Sequence, residues 1–446
     1  MSTLPAPSAV AHHWGIDPGV VYLNHGSFGA CPTRVLDAQR SIIDGAEREL
    51  VAFYVTDAFE MLDAARAALA PLIGAHPDDF AFVSNATTGV ATALANFPLR
   101  AGDEILVSAH EYPACLIQVR DAARRAGATV RFADIPFGVG VLDERAIFDA
   151  IVNAATERTR LCLLSNVTSP TALRFPVARI VRALRERNIE TILDAAHGPG
   201  CVPLDLDAIG AAWSTGNCHK WLCAPKGSAF LHVRRDAQRG PLTIEGVFRP
   251  LALSHFNAHP IPGREMPMRG FDFLGTSDVS AWLTVPHAMR IVAEIAEEVG
   301  LLPRGLDPHD SASLTGAWRA IMDHNRALCL RGRNILCDAM GVSPPAHDDL
   351  IGPIATIPLP AHDAERTRRL LARPTRHADA LQDALRDRWK IQVPIWRYPP
   401  GPVDPSPGAP APVRTIRISA QLYNSEAQYR YLADALCAEI ERERQY

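Results

Sequence analysis

The chain has 446 residues and a formal net charge of −4 at pH 7, and 48% of its residues are hydrophobic and 21% charged. This composition is that of an ordinary globular protein, and the length allows two or three domains. The charge gives no basic field for nucleic acid or acidic membranes, so we expect a small-molecule ligand and neither of those partners.

The N-terminal residues and the cysteines bear on the compartment. Residues 1–19 lack a basic region followed by an unbroken apolar stretch, and no window approaches 18 uncharged apolar residues. The nine cysteines form no CxxC pair, so neither a disulfide framework nor a zinc site is indicated. We therefore expect a cytoplasmic protein without a metal site.

The first predicted elements are an extended piece, "VVYLNHGSFGACP" (20–32), and helices over 33–50 and 57–74. Seven β-type runs follow, at 80–84, 104–109, 129–134, 160–165, 190–195, 211–215 and 228–233. Amphipathic helical segments such as 144–157 and 176–188 lie between several of them. This alternation predicts an α/β fold with a mainly parallel seven-stranded sheet and helices on both faces, in which ligands bind beyond the carboxyl ends of the strands.

Residues 300–446 mix helices with the strand-like runs "IATIPLP", "IQVPIW" and "RTIRIS", as expected of a smaller α+β domain. Residues 397–412 hold seven prolines and are predicted to form an irregular loop. Two interpretations of this segment remain, a plain surface loop and an active-site lid.

Polar residues follow the predicted strands in "SNATTGV" (84–90), "HEYPA" (110–114), "SNVTSPT" (165–171), "DAAHGPG" (194–200) and "TGNCHKW" (215–221). No pair of them has a recurring metal-ligand spacing, and neither a dinucleotide glycine fingerprint nor a phosphate-loop motif is present. The set fits pyridoxal phosphate, which requires a primary amine for a Schiff base and a carboxylate at its ring nitrogen.

Lys220 is one of only three lysines in the chain. An arginine stays charged, whereas a lysine in a pocket can lose its proton and act as a nucleophile. We therefore predict that Lys220 forms the Schiff base and that Asp194 contacts the ring nitrogen. The helix start with Ala86, Thr87 and Thr88 is suited to the phosphate. The ring face, the phosphate and the phenolic oxygen are assigned to Tyr112, His219 and His197, respectively.

The ordered succession "VYLNHGSFGACP", "SNATTGV", "HEYPA", "DAAHGPG", "NCHKW", "GTSD" and "IRISAQLYN" resembles the class V aminotransferase family of fold type I pyridoxal-phosphate enzymes, in its isopenicillin N epimerase-like branch. The resemblance implies a homodimer with shared active sites. It also implies an N-terminal segment (1–55) that joins the small domain, a large cofactor-binding domain (56–295) and a small C-terminal domain (296–446).

The resemblance also assigns residues. Gly275 and Thr276 are expected to reach the partner subunit's phosphate, and Arg417 is expected to bind the substrate carboxylate. Asn217 stands where a small hydroxyl residue is often found, and His197 where desulfurases have glutamine. Asn24, His25, Thr168 and Ser169 are further substrate-site candidates, with structural roles in turns or the core as the alternatives.

Three reactions are open for an amino-acid substrate. The first hypothesis is epimerisation, or a related reaction, of a non-standard amino acid, with His25 or Tyr112 as the second proton donor. The alternatives are β-elimination from a cysteine derivative and transamination. The resemblance implies that a cysteine desulfurase of this class would carry a nucleophilic cysteine on a loop shortly before the arginine strand. Residues 391–413 contain no cysteine, so a persulfide-forming desulfurase is not expected. A non-catalytic regulator is disfavoured because all expected site positions are filled.

Overall fold

The structure is a computed structural model, and it describes residues 4–138, 140–302, 307, 310–400 and 412–446. Within these residues the strands are β1 (Val21–Tyr22), β2 (Phe80–Val83), β3 (Glu104–Ser108), β4 (Thr129–Ala133), β5 (Thr159–Ser165), β6 (Glu190–Asp194), β7 (Trp213–Asn217), β8 (Ala229–Val233), β9 (Ile354–Pro358), β10 (Ile391–Gln392), β11 (Ile395–Tyr398) and β12 (Val413–Ser419).

The helices of the described residues are α1 (His25–Phe28), α2 (Thr33–Arg48), α3 (Leu50–Ala52), α4 (Ala58–Ile73), α5 (Ala86–Asn96), α6 (Pro113–Ala126), α7 (Glu144–Ala154), α8 (Val177–Arg185), α9 (Leu206–Ile209), α10 (His255–Ala258), α11 (Ser280–Leu283), α12 (Val285–Glu298), α13 (Ser311–Met340), α14 (Ala364–Leu371), α15 (Ala380–Trp389) and α16 (Glu426–Arg442). None of them is both long and apolar enough to cross a membrane.

The predicted seven-stranded, mainly parallel sheet is confirmed. Its strand order is β2-β8-β7-β6-β5-β3-β4, and only β8 runs antiparallel to its neighbours. Alternate residues of a strand enter separate cores: Leu106 packs into one, and Ile105 and Val107 pack into the other. Both faces of the sheet are therefore covered along the buried strands, which explains their continuous apolar runs, whereas the edge strand β4 is mostly exposed.

Two smaller sheets lie outside this layer. One has the antiparallel order β11-β12-β9, and the other pairs β1 with β10 in parallel through Val21 and Ile391. The N-terminal strand thus pairs with a strand near the C-terminus. The domain limits at residues 55 and 295 stay a prediction.

The structure differs from the sequence-based elements at several positions. Strand β7 begins at Trp213 and extends to Asn217, two residues beyond the predicted end. "IQVPIW" is divided into β10 and β11 at Pro394, which has no N–H to donate to a ladder. Arg397 and Tyr398, expected in the proline-rich loop, belong to β11 and pair with β12. Most of that loop, residues 401–411, lies outside the described residues.

Candidate active site

One cavity lies at the carboxyl edge of the large sheet, where β5, β6 and β7 end and α5 begins. Ser165 and Asp194 are paired neighbours at the ends of β5 and β6, so their side chains meet at this edge. The predicted site residues that line the cavity are Ala86, Thr87, Tyr112, Ser169, Asp194, His197, Asn217, His219 and Lys220.

Lys220 lies three residues beyond the end of β7, and its Nζ is 3.3 Å from His197 Nε2. Burial and the nearby Arg417 guanidinium lower the pKa of Lys220 to about 8, against the opposing effect of Asp194. A substantial fraction of this amine is therefore neutral near physiological pH, as a nucleophile or a base requires.

Asp194 ends β6 with its carboxylate buried. Its Oδ1 accepts a hydrogen bond of 2.9 Å from the Ala196 N–H, and the Cys115 thiol donates to Oδ2 over 3.4 Å. Burial raises the pKa of Asp194, against the lowering effects of the Ala196 N–H and the Lys220 charge. A protonated ring nitrogen placed against this carboxylate would add a positive charge in direct contact and favour its ionised form.

The first turn of α5 faces the other end of the cavity. The Asn85 side chain caps it by accepting from the Thr88 N–H at 2.9 Å, and Asn217 Oδ1 accepts from the Ala86 N–H at 2.8 Å. The helix approaches β7 so closely that a Cβ on Gly89 would lie 2.2 Å from Thr215 Oγ1. The N-terminal end of α5, with its partial positive charge, is thereby fixed at the cavity.

His219 lies beside this helix start, and its Nδ1–H donates to the Ser228 carbonyl oxygen at 2.8 Å. Among the described residues, no hydrogen-bond partner contacts the opposite ring nitrogen, Nε2. Burial lowers the pKa of His219 to about 4 in the absence of an anion. A phosphate group next to this ring would reverse that direction by favouring the charged form.

Arg417, on β12, is buried and approaches the cavity through two residues that line it. Its Nη1 donates to the Ser169 carbonyl oxygen at 2.7 Å, and its Nη2 donates to Ser27 Oγ at 2.8 Å. Burial lowers the pKa of Arg417 to about 9. Arg417 itself is not among the residues that line the cavity. No carboxylate of the described residues forms an ion pair with it, and its hydrogen bonds go to Ser169 and Ser27.

His25, a candidate substrate or proton-donor residue, is fully buried and does not line the cavity. Its Nε2–H donates to the Lys220 carbonyl oxygen at 3.0 Å, and its Nδ1 accepts from the Tyr423 hydroxyl at 2.9 Å. Burial lowers the pKa of His25 to about 3, so the ring is neutral with both nitrogens engaged. The ring fixes the backbone of Lys220.

Other predicted residues also lie outside the cavity lining. Thr168 Oγ1 holds the turn after β5 by accepting from the Leu173 N–H at 2.9 Å. Asn24 Oδ1 accepts from the Ser27 hydroxyl at 2.6 Å, and so orients a partner of Arg417. Thr88 belongs to the cap of α5, and Gly275 and Thr276 are exposed away from the cavity.

Several residues at the site were not singled out from the sequence. Glu111 is fully buried, and Ser108 and Ser165 donate to its two oxygens at 2.7 and 2.5 Å. Trp221 Nε1 donates to His197 Nδ1 at 3.2 Å, and Cys115 contacts Asp194. Glu111 and Trp221 stand directly beside predicted residues in "HEYPA" and "HKW", which was the available signal.

The donor set fits pyridoxal phosphate. A buried amine with a lowered pKa, a buried carboxylate with a raised pKa and a helix N-terminus lie around one cavity. These groups match the aldehyde, the pyridine nitrogen and the phosphate of this cofactor, respectively.

Comparisons with known proteins agree with this fit. The family model for class V aminotransferases matches residues 22–257. The isopenicillin N epimerase of Streptomyces clavuligerus is 31% identical over 95% of this chain and 96% of its own. A probable chloroplastic L-cysteine desulfhydrase of Arabidopsis thaliana is 27% identical over 98% of this chain and 86% of its own.

Among solved structures, a mutant of C-DES with glycine covalently linked to its pyridoxal-phosphate cofactor superimposes with a TM-score of 0.63. The match covers 94% of this chain and 96% of the other, at 18% identity. At this identity the likeness shows that the two chains share a fold, and it supports fold type I for this one.

Proposed function

Because the chain belongs to the class V aminotransferase family and its cofactor is pyridoxal phosphate, we propose that it removes the α-proton of an amino acid. In this proposal Lys220 is the base and Arg417 binds the substrate carboxylate. The observation that carries it is the pairing of a buried amine of lowered pKa with a buried arginine that has no carboxylate partner among the described residues.

The residues proposed to hold the cofactor are Lys220 through its amine, Asp194 at the ring nitrogen and Tyr112 on the ring face. Thr87 with the first turn of α5, and His219, are proposed to hold the phosphate. When bound and joined to the substrate amino group, the cofactor would supply a sink for the electron pair left at the α-carbon.

In this proposal Lys220 and Arg417 have separate roles. The amine of Lys220 accepts the proton only in its neutral form, which burial and the Arg417 charge favour by lowering its pKa in the cofactor-free chain. Arg417 binds the substrate carboxylate and thereby orients the α-carbon. Ser27 and Ser169 accept hydrogen bonds from the guanidinium and fix its position. The buried surroundings exclude water from both groups, which strengthens their electrostatic interactions.

For the outcome of proton removal, we favour β-elimination from a cysteine derivative. Lys220 as a single base suffices for elimination, whereas epimerisation also needs a proton donor on the opposite face. His25 was one of two candidates for that donor, and both of its ring nitrogens are engaged behind Lys220. The sequence analysis put epimerisation before β-elimination. The structure reverses this preference because it gives the location of His25, which the sequence could not.

Epimerisation is the second candidate. It is supported by the similarity to isopenicillin N epimerase and by Tyr112, which lines the cavity and is 43% exposed. In that reaction the Tyr112 hydroxyl would donate the proton. Transamination stays open as a third outcome.

We also propose that the chain is a homodimer with shared active sites, in which Gly275 and Thr276 contact the phosphate bound by the partner. Their exposure outside the cavity is consistent with this role. Mixing Lys220→Ala and Thr276→Ala subunits should restore one high-affinity cofactor site per hybrid dimer. Failure of the mixture to exceed either variant would contradict the shared site. The cytoplasmic location stays a prediction.

The experiment that tests the proposed reaction is incubation of the holoenzyme with an amino-acid panel in deuterated water. Elimination yields pyruvate from cysteine derivatives, epimerisation yields the α-deuterated enantiomer, and transamination yields the keto acid. Lys220→Ala is the control and should abolish α-deuteration. A panel without α-deuterium or product in any member would refute α-proton removal.

A further inference from the structure

We infer that Trp221 is a positioning residue, whose indole N–H fixes the tautomer of His197 and thereby directs the Nε2–H of His197 at the amine of Lys220. This step goes beyond the roles of Lys220 and His197 at the cofactor. It concerns the protonation state of the Lys220 amine in the cofactor-free protein. It rests on the proposed function, in which Lys220 is the base.

The first contact lies between Trp221 and His197. Trp221 Nε1 is 3.2 Å from His197 Nδ1, and both side chains are buried. An indole N–H can only donate, so Nδ1 must be the unprotonated, accepting nitrogen. Burial lowers the pKa of His197 well below its usual value, so the ring is neutral and carries its one proton on Nε2.

The second contact lies between His197 and Lys220. His197 Nε2 is 3.3 Å from Lys220 Nζ, so the Nε2–H points at the lysine nitrogen. An ammonium group has three N–H donors and no lone pair, whereas a neutral amine can accept. The arrangement therefore favours the neutral amine of Lys220. The opposite tautomer would accept from the ammonium group and favour the charged form.

The indole is held in place by its surroundings. It belongs to a small buried cluster with Val167, Ile354 and other apolar residues, and its exposed fraction is 0%. Its ring centroid lies 5.1 Å from that of His25, whose Nε2–H donates to the Lys220 carbonyl oxygen. A rotation of the indole away from His197 would disturb this packing, so the donor stays directed at Nδ1.

Other titratable groups also affect the pKa of the Lys220 amine. The test must therefore separate the effect of Trp221 from the effects of these groups. The positive charge of Arg417 opposes the ammonium form, and the negative charge of Asp194 favours it. The remaining groups facing Lys220 from packed elements are Cys115, Cys201, His25 and His219. Substitution of Trp221 by phenylalanine changes none of these side chains.

The test is competitive acetylation of the cofactor-stripped, full-length protein over a series of pH values, read by mass spectrometry. The chain has three lysines, and Lys226 and Lys390 are exposed internal references. For Trp221→Phe we expect the Lys220 labelling midpoint to rise by about one pH unit, which reduces its labelling at pH 7 by about tenfold. The reference lysines should not shift.

The control for lost packing is Trp318→Phe. Trp318 is also fully buried and donates its N–H, but to the Met289 carbonyl oxygen at 3.2 Å. This variant should leave the Lys220 midpoint unchanged. In a His197→Gln background, Trp221→Phe should have no further effect, because glutamine has no tautomer to fix.

An unchanged midpoint in Trp221→Phe, or an equal shift in the His197→Gln background, would overturn the inference. If Trp221→Phe does not fold, nitrogen-15 NMR of histidine-labelled wild-type protein determines which nitrogen of His197 carries the proton. The spectrum of His197→Gln assigns the His197 signals. A proton on His197 Nδ1 would overturn the inference, and a proton on Nε2 would support it. Neither result changes the amino-acid panel, which tests the proposed reaction separately.

Discussion

The Arg417 guanidinium stacks on the ring of Trp396, with its central carbon 4.6 Å from the ring centroid. This contact fixes the plane of a buried cation that has no ion-pair partner among the described residues. A planar, stacked guanidinium is suited to two parallel hydrogen bonds with a carboxylate, and lysine cannot reproduce that geometry.

For Arg417→Lys we expect amino-acid affinity to fall by about 10- to 100-fold, the loss of roughly 1.4 to 2.8 kcal/mol. Cofactor absorbance should be retained. Substrate titration of the cofactor spectrum measures the change. Arg120→Lys is the matched control, because Arg120 also stacks on an aromatic ring, Phe132, at 5.6 Å. Equal substrate affinity in the wild type and Arg417→Lys would exclude the carboxylate role.

Thr87→Val tests the phosphate site at the start of α5. The substitution keeps the side-chain volume and removes the hydroxyl, so the affinity for pyridoxal phosphate should fall by about tenfold. The affinity for pyridoxal, which lacks the phosphate, should be unchanged. Equilibrium dialysis with both compounds measures the two affinities. Thr92→Val on the same helix, whose hydroxyl donates to the Thr88 carbonyl oxygen at 2.8 Å, should change neither. A parallel loss for both compounds would rule against a phosphate contact.

Glu111 predicts a pH dependence of stability. Burial raises its pKa from 4.5 to about 7, so the folded cofactor-free protein binds a proton here that the unfolded chain releases at lower pH. This stabilising effect is complete below pH 4.5 and is lost as the pH rises through about 7. We expect the unfolding free energy of the wild type to fall relative to Glu111→Gln by about 1 kcal/mol per pH unit between pH 5 and 7.

Urea unfolding of the cofactor-free proteins measures this difference. Glu104→Gln is the control, because a hydrogen bond from Thr156 and the Arg158 charge lower the pKa of Glu104. The contribution of Glu104 to the unfolding free energy is lost only as the pH falls below 5. The difference in unfolding free energy between Glu104→Gln and the wild type should therefore be constant between pH 5 and 7. A flat difference for Glu111→Gln as well would mean that this carboxyl is ionised throughout.

The sequence predicted the large sheet well because most of its strands are buried on both faces and several are separated by amphipathic helices. The carboxyl ends of these strands then place Asp194, Lys220 and the start of α5 together, as the parallel topology requires. Arg417 was predicted from the family resemblance, and the structure places it behind Ser27 and Ser169, which line the cavity.

The remaining features depend on side-chain directions that a linear pattern does not contain. Lys220 and Trp221 are adjacent in the chain, yet they contact opposite nitrogens of one imidazole ring. His25 is distant in sequence from Lys220 and contacts its backbone rather than the cavity. These arrangements follow from packing between β7, the loop after β6 and the N-terminal segment, so they became visible only in three dimensions.

The central claim is that Lys220 holds the cofactor covalently. Borohydride reduction of the holoenzyme, proteolysis and mass spectrometry test it most directly, because the chain has only three lysines. We predict one reduced cofactor adduct per chain, on the peptide that contains Lys220. An adduct on Lys226 or Lys390, or a protein that carries no adduct after saturation with pyridoxal phosphate, would contradict it.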